Sequence, residues 1–203
     1  MTELSGKNKK TAEELLKESN VTYGDYESME DDGNRYEIAG GRLELLSSPN
    51  SMHQVISQAI RDMMRDTCGL DYIMLTAPLD VILSDTEVRQ PDLIFIHRSR
   101  KSIITKRGID GVPDVVVEVL SPSTRRRDRR DKIIAYAKYG VPEYWIVDPD
   151  SYTIELNVLG ADGRYGLVDV FAEDEPIVSP KLPCAHFTMN DIYAIVKDTL
   201  DWA

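Results

Sequence analysis

Two periods of hydrophobic and polar positions run along the chain and divide it into helices and strands. Val55, Ile56, Ala59, Ile60, Met63 and Met64 recur three and four residues apart, which is one face of a helix. The spacing predicts an amphipathic helix that opens over Pro49–Met52 and ends near Gly69. Upstream, RYEIAGGRLEL (Arg35–Leu45) predicts a hairpin, because Gly40 and Gly41 supply the positive φ of a tight turn. TAEELLKES predicts one short helix, with Thr11 and Glu14 as a capping box, in an otherwise peripheral segment over residues 1–20.

The middle of the chain is strand-like. DYIML and LDVIL are expected to pair with each other, and PDLIFI (Pro91–Ile96) follows. PDVVVEVL (Pro113–Leu120) is the strongest strand. β-Branched residues dominate it and both faces are apolar, as in a strand covered on both sides. RRRDRRDKIIAYAKYG predicts a helix, with Ser123 or Thr124 as N-cap and Gly140 as stop. PEYWIVDP is a further strand, YTIELNVLG and YGLVDVF form a hairpin turning at Ala161–Arg164, and MNDIYAIVKDTL closes the chain as a helix. This order predicts an α/β sandwich with a mixed sheet. The 203 residues suit a single domain over 21–203 after a tail or short helix at 1–20.

Composition narrows the function classes. No apolar run reaches the roughly 20 residues of a membrane helix, and MTELSGKNKK, which lacks an apolar segment, is not expected to act as a secretory signal. Cys68 and Cys184 form no CxxC unit and read as reduced thiols of a cytoplasmic protein, with a disulfide the lesser alternative. His53, His97 and His186 form no zinc-type pair. The net charge of −11 argues against a surface coated in positive potential, yet HRSRKSIITKR and RRRDRRDK are basic islands.

Glu118 lies among valines in the strongest strand. Alternation places Asp114, Val116, Glu118 and Leu120 on one face. A buried, unpaired carboxylate is costly, so either the sheet is open there or a cation meets the acid. Asp92, directly after Pro91, raises the same question. Taken singly, each acid reads as paired with a lysine or arginine, or as set at a solvated strand end. Two acids entering neighbouring strands ahead of a basic helix read as a site. Lys132 falls roughly 10 Å along that helix and Glu118 roughly 7 Å before the shared SPST loop, so the two can meet. Arg125, Asp128 and Lys132 share a stripe, and the flanking arginines read mostly as a solvated face. Two carboxylates and a lysine suit metal-assisted phosphodiester hydrolysis, which needs oxygen ligands and a cationic group near the phosphate.

RQPDLIFI, PDVVVEVLSPST, DKIIAYAKYGVPEYWIVDP and PKLPCAHFTMNDIY together resemble the Uma-two family of restriction-endonuclease-like proteins, part of the PD-(D/E)xK nuclease superfamily. The resemblance runs from about Tyr23 to Val196 and is most specific over Pro113–Pro149. It implies an α/β, restriction-endonuclease-like core, a central mixed β-sheet flanked by helices, with N-terminal and C-terminal β-hairpin additions. It implies divalent-metal-dependent DNA cleavage, with Mg²⁺ as cofactor and Mn²⁺ as substitute. Asp92 and Glu118 match the metal-binding acids, and the Val119 carbonyl can join them. Leu120 occupies the ExK lysine position, and Lys132 matches the lysine that the family carries on the next helix. Glu37 matches the family's YE and His53 its H after a proline; both are second-tier site residues, with structural roles as the alternative. Arg125, Arg126, Arg129 and Lys101 become candidate DNA-phosphate contacts. A homodimer is expected from paired-strand cutting in relatives. The alternatives are a nuclease-fold protein that binds nucleic acid or a protein partner without cutting, and an interaction module whose acids are paired internally.

Overall fold

The structure is a computed structural model and describes residues 9–202; the first eight residues of the expected N-terminal segment, and Ala203, lie outside it. In chain order the α-helices among the described residues are α1 (Ala12–Leu15), α2 (Tyr23–Glu27), α3 (Ser51–Cys68), α4 (Arg125–Arg127), α5 (Ile133–Lys138) and α6 (Met189–Thr199), and a 3-10 helix spans Arg98–Ile103. The strands are β1 (Arg35–Ala39), β2 (Arg42–Leu46), β3 (Tyr72–Thr76), β4 (Val81–Ser84), β5 (Glu87–Arg89), β6 (Leu93–His97), β7 (Ile109–Asp110), β8 (Val115–Val119), β9 (Glu143–Asp148), β10 (Thr153–Leu159) and β11 (Tyr165–Ala172). They fall into two compact units, one comprising the chain up to Ser47 with Ile82–Arg89, the other Ser48–Val81 with Gln90 onward.

The smaller unit contains the predicted hairpin. β1 and β2 pair antiparallel with Ala39 opposite Arg42, and Gly40 and Gly41 take φ of 56° and 78°. β1 also pairs with β5 through Ile38 and Val88. Thr11 and Glu14 form the expected capping box at α1. Leu15, Val21, Ile38 and Val88 close its core at 0% exposure.

The larger unit is built on a mixed sheet in the order β11-β10-β9-β8-β6-β3, in which β8 and β9 are parallel. The odd-numbered residues of β6 and β8 (Leu93, Phe95, Val115, Val117, Val119) pack with Ile56, Ile60 and Met64 of α3 and Ile192 and Val196 of α6 in one core. Trp145 is fully buried in the same core, as the apolar pattern around it predicts. The opposite face receives the basic segment after β8.

Two expectations need correction, and a third, the basic helix, is refined. β3 pairs with β6 (Thr76 opposite Leu93), whereas β4 belongs to the other sheet, so DYIML and LDVIL are not partners. The basic helix is continuous from Arg125 to Lys138 but is interrupted by a π-helical turn, Asp128–Lys132. Thr124 is its N-cap residue, without a side-chain capping bond. Cys68 and Cys184 are joined, S–S 2.08 Å, so they are not the reduced thiols expected of a cytoplasmic protein. Packing of the end of α3 against the segment of Leu182 and Ala185 brings the two together across 116 residues. Among the described residues no helix is long and apolar enough to cross a membrane.

Candidate active site

The β6–β8 ladder sets the two acids. The ladder ends at Leu93 opposite Val117; Asp92 directly precedes β6 and Glu118 directly follows Val117, with the Glu118 side chain on the face away from the α3 core. Instead of a further backbone bond, the Val119 N–H donates to Asp92 Oδ2 at 2.8 Å. Leu120 N–H donates to the Val147 carbonyl on the β9 side. The Val119 carbonyl, on the same edge as its own N–H, therefore faces Asp92. His53 reaches Asp92 from the first turn of α3: its Nε2 lies 2.9 Å from the same Oδ2. The Asn50 side chain caps that turn by accepting from the His53 N–H.

Glu118 is met by the helix that follows its own strand. Lys132 Nζ donates to Glu118 Oε1 at 2.7 Å and the Tyr136 hydroxyl donates to the same oxygen at 2.8 Å. Asp128, one turn before Lys132, turns inward as well, with Oδ1 3.5 Å from Lys132 Nζ. Asp128, Lys132 and Tyr136 lie four residues apart and are all buried. The π-helical turn carries the first two; such turns are rare and recur at functional sites.

The carboxylates feel one another. Burial pushes the Tyr144 hydroxyl well above its usual value, and the charges of Glu118, Asp128 and Asp92 push it further. Burial also raises the Asp128 carboxyl, against the pull of Lys132 and a hydrogen bond from Thr124, and the charge of Asp92 adds to the rise. Glu118 and Asp128 thus share the Lys132 ammonium in a poorly solvated pocket, and the charge of Asp92 acts on Asp128. That balance leaves room for added positive charge.

Asp92 and His53 line a cleft of about 50 Å³ with Gln54, Gln58 and Arg61. Arg61 also borders a larger groove, about 440 Å³, that runs beside β3 between Arg65 and Arg98. Among the described residues no three or more His, Cys, Asp or Glu side chains form a metal cage. Magnesium does not ask for one, since it takes one or two carboxylates and completes its shell with water and substrate phosphate. Asp92, Glu118 and the Val119 carbonyl are the oxygen donors that could hold such an ion.

Glu37 belongs to the smaller unit, where it is fully buried and accepts from Arg89 Nη1 at 3.3 Å. Arg89 Nε donates to Glu87 at 2.6 Å. Arg125 forks onto Asp148 at 2.6 and 2.9 Å and also reaches Asp150. Arg129 forks onto Glu155 at 2.8 and 2.9 Å. Arg126 and Lys101 are exposed. Asp128 is the site neighbour that sequence reasoning passed over. Its place in the stripe with Lys132 was visible, but a carboxylate inside an arginine run reads as solvated.

A family model described as "Putative restriction endonuclease", Uma2, matches residues 23–190. The chain belongs to the Uma2 family. A crystal structure described as a putative nuclease of DUF820 from Anabaena variabilis matches with TM-score 0.71 at 18% identity, over 87% of this chain and 99% of that one. The type IIG restriction endonuclease BpuSI matches at TM-score 0.39 and 14% identity, over 75% of this chain and 17% of its own, and adds nothing to the fold assignment. No curated protein matches the sequence. The Uma2 chain therefore has the mixed α/β fold of restriction-endonuclease-like nucleases.

Proposed function

We propose that this Uma2 protein is a divalent-metal-dependent endonuclease that hydrolyses phosphodiester bonds of DNA. The observation that carries the proposal is the bond from the Val119 N–H to Asp92, next to Glu118 on β8, with Lys132 on Glu118. Asp92, Glu118 and the Val119 carbonyl would hold Mg²⁺, or Mn²⁺ in its place. A metal bound there supplies a Lewis acid for the phosphate and a bound water of lowered pKa. His53 and the Val119 N–H fix Asp92 by its Oδ2. Lys132 orients the attacking water and offsets charge on the transferring phosphoryl group. Arg61, Arg65 and Arg98 give the strand a basic path away from Asp92. Cutting both strands takes two such sites, which a homodimer supplies.

A second reading, DNA or protein binding without cleavage, draws on one observation: Glu118 Oε1 is already held by both Lys132 and Tyr136. The two readings separate on supercoiled plasmid. Nicked or linear product that forms with Mn²⁺ and not with EDTA supports the nuclease; retarded but intact plasmid in both supports the binder.

A further inference from the structure

Asp128 has no part in the chemistry above, yet it is 1% exposed and its Oδ1 has no hydrogen-bond partner. A buried carboxylate in that state needs a reason. The reason lies in its neighbour. Lys132 Nζ sits 2.7 Å from Glu118 Oε1 and 3.5 Å from Asp128 Oδ1, so one ammonium stands between two carboxylates with unequal contact.

We propose that Asp128 is a positioning residue that takes over the Lys132 ammonium when Glu118 engages a divalent cation. Lys132 cannot turn to water instead, because its side chain is only 5% exposed. An ammonium drawn away from Glu118 would lose its closest buried counter-charge, and that cost would oppose cation binding. Asp128 removes the cost. It lies one turn earlier on the same helix face, so the handover needs rotation at the end of the lysine and no shift of the helix. Its backbone is anchored, since the Tyr144 hydroxyl donates to the Asp128 carbonyl at 3.1 Å. Burial raises the Asp128 carboxyl, and Lys132, Thr124 and the charge of Arg127 oppose that rise while Oδ1 stays without a hydrogen-bond partner.

The inference rests on the metal-binding part of the proposed function, and Mn²⁺ titration of the whole protein without DNA tests the two separately. Wild type, Asp128→Asn, Lys132→Met and the double variant are compared by calorimetry. Asp128→Asn raises the Mn²⁺ dissociation constant about tenfold. In the Lys132→Met background the same change costs less than about twofold, because there is no ammonium left to receive. Equal affinity for wild type and Asp128→Asn overturns the inference. So does an equal loss in both backgrounds, which would mean that Asp128 acts on the ion directly. Wild type that binds no Mn²⁺ overturns the metal reading together with this one. A crystal of wild type with Mn²⁺ needs no substitution. Lys132 Nζ bonded to Asp128 and away from Glu118 is the expected result, and Nζ still bonded to Glu118 beside the bound ion overturns the handover.

Discussion

Lys132 Nζ lies 2.7 Å from Glu118 Oε1, and neither side chain is more than 5% exposed. A pair buried this deeply costs much to desolvate and more to break. Lys132→Met leaves Glu118 charged among valines, and urea unfolding should show a loss of about 3–5 kcal/mol. The double variant Glu118→Gln/Lys132→Met should lose clearly less than the sum of the two single changes, because it removes the Glu118 charge together with the ammonium that meets it.

His53 holds Asp92 Oδ2 from α3, a different element from either acid. His53→Ala should weaken Mn²⁺ binding by about tenfold or more, as loss of an orienting partner does. The fold should lose only about 1 kcal/mol, the net worth of one hydrogen bond. A large loss of stability with unchanged Mn²⁺ affinity would make His53 a structural residue.

Asp148 predicts an acid-side loss of stability. Burial pushes its carboxyl up, but hydrogen bonds and charge from Arg125, with help from Ser151, bring it down to about 2. The unfolded value is about 3.9. A depressed carboxylate contributes stability that is complete above the unfolded value and is lost as pH falls from about 4 to about 2. Screening at the half-exposed Arg125 limits the contribution to on the order of 1–2 kcal/mol. Asp148→Asn should flatten the stability profile across that window in a pH series of denaturant melts.

Arginines that already hold buried carboxylates make poor phosphate contacts. Arg125 and Arg129 are engaged with Asp148 and Glu155, whereas Arg98 borders the open groove and bonds to the Gly69 carbonyl. Arg98→Ala should weaken DNA binding and reduce its salt slope by about one. Arg129→Ala should lower stability and leave the slope unchanged. Fluorescence anisotropy across a salt series reads both.

Much of this was legible in the chain. The α3 periodicity, the Gly40-Gly41 hairpin and the β-branched run of β8 are local signals, and each element forms where its pattern places it. The Glu118–Lys132 contact was reachable too, because strand and helix are joined by a short loop and must fold back. Pairing between distant segments was not. Nothing within Tyr72–Thr76 tells it to pair with β6, since a short, mostly apolar strand satisfies several partners equally. Cys68 and Cys184 meet because α3 packs on the C-terminal segment, a fact of tertiary packing that no spacing encodes. The fates of Arg125 and Arg129 likewise depend on acids about twenty residues further along the chain.

Nicking of supercoiled plasmid by wild type and by Glu118→Gln, in Mn²⁺ and in EDTA, bears on the central claim most directly. Wild type should nick in Mn²⁺ only, and Glu118→Gln, folded by circular dichroism, should fall by at least about a hundredfold. Equal nicking by the two proteins, or nicking that persists in EDTA, would contradict a metal site built on Asp92 and Glu118.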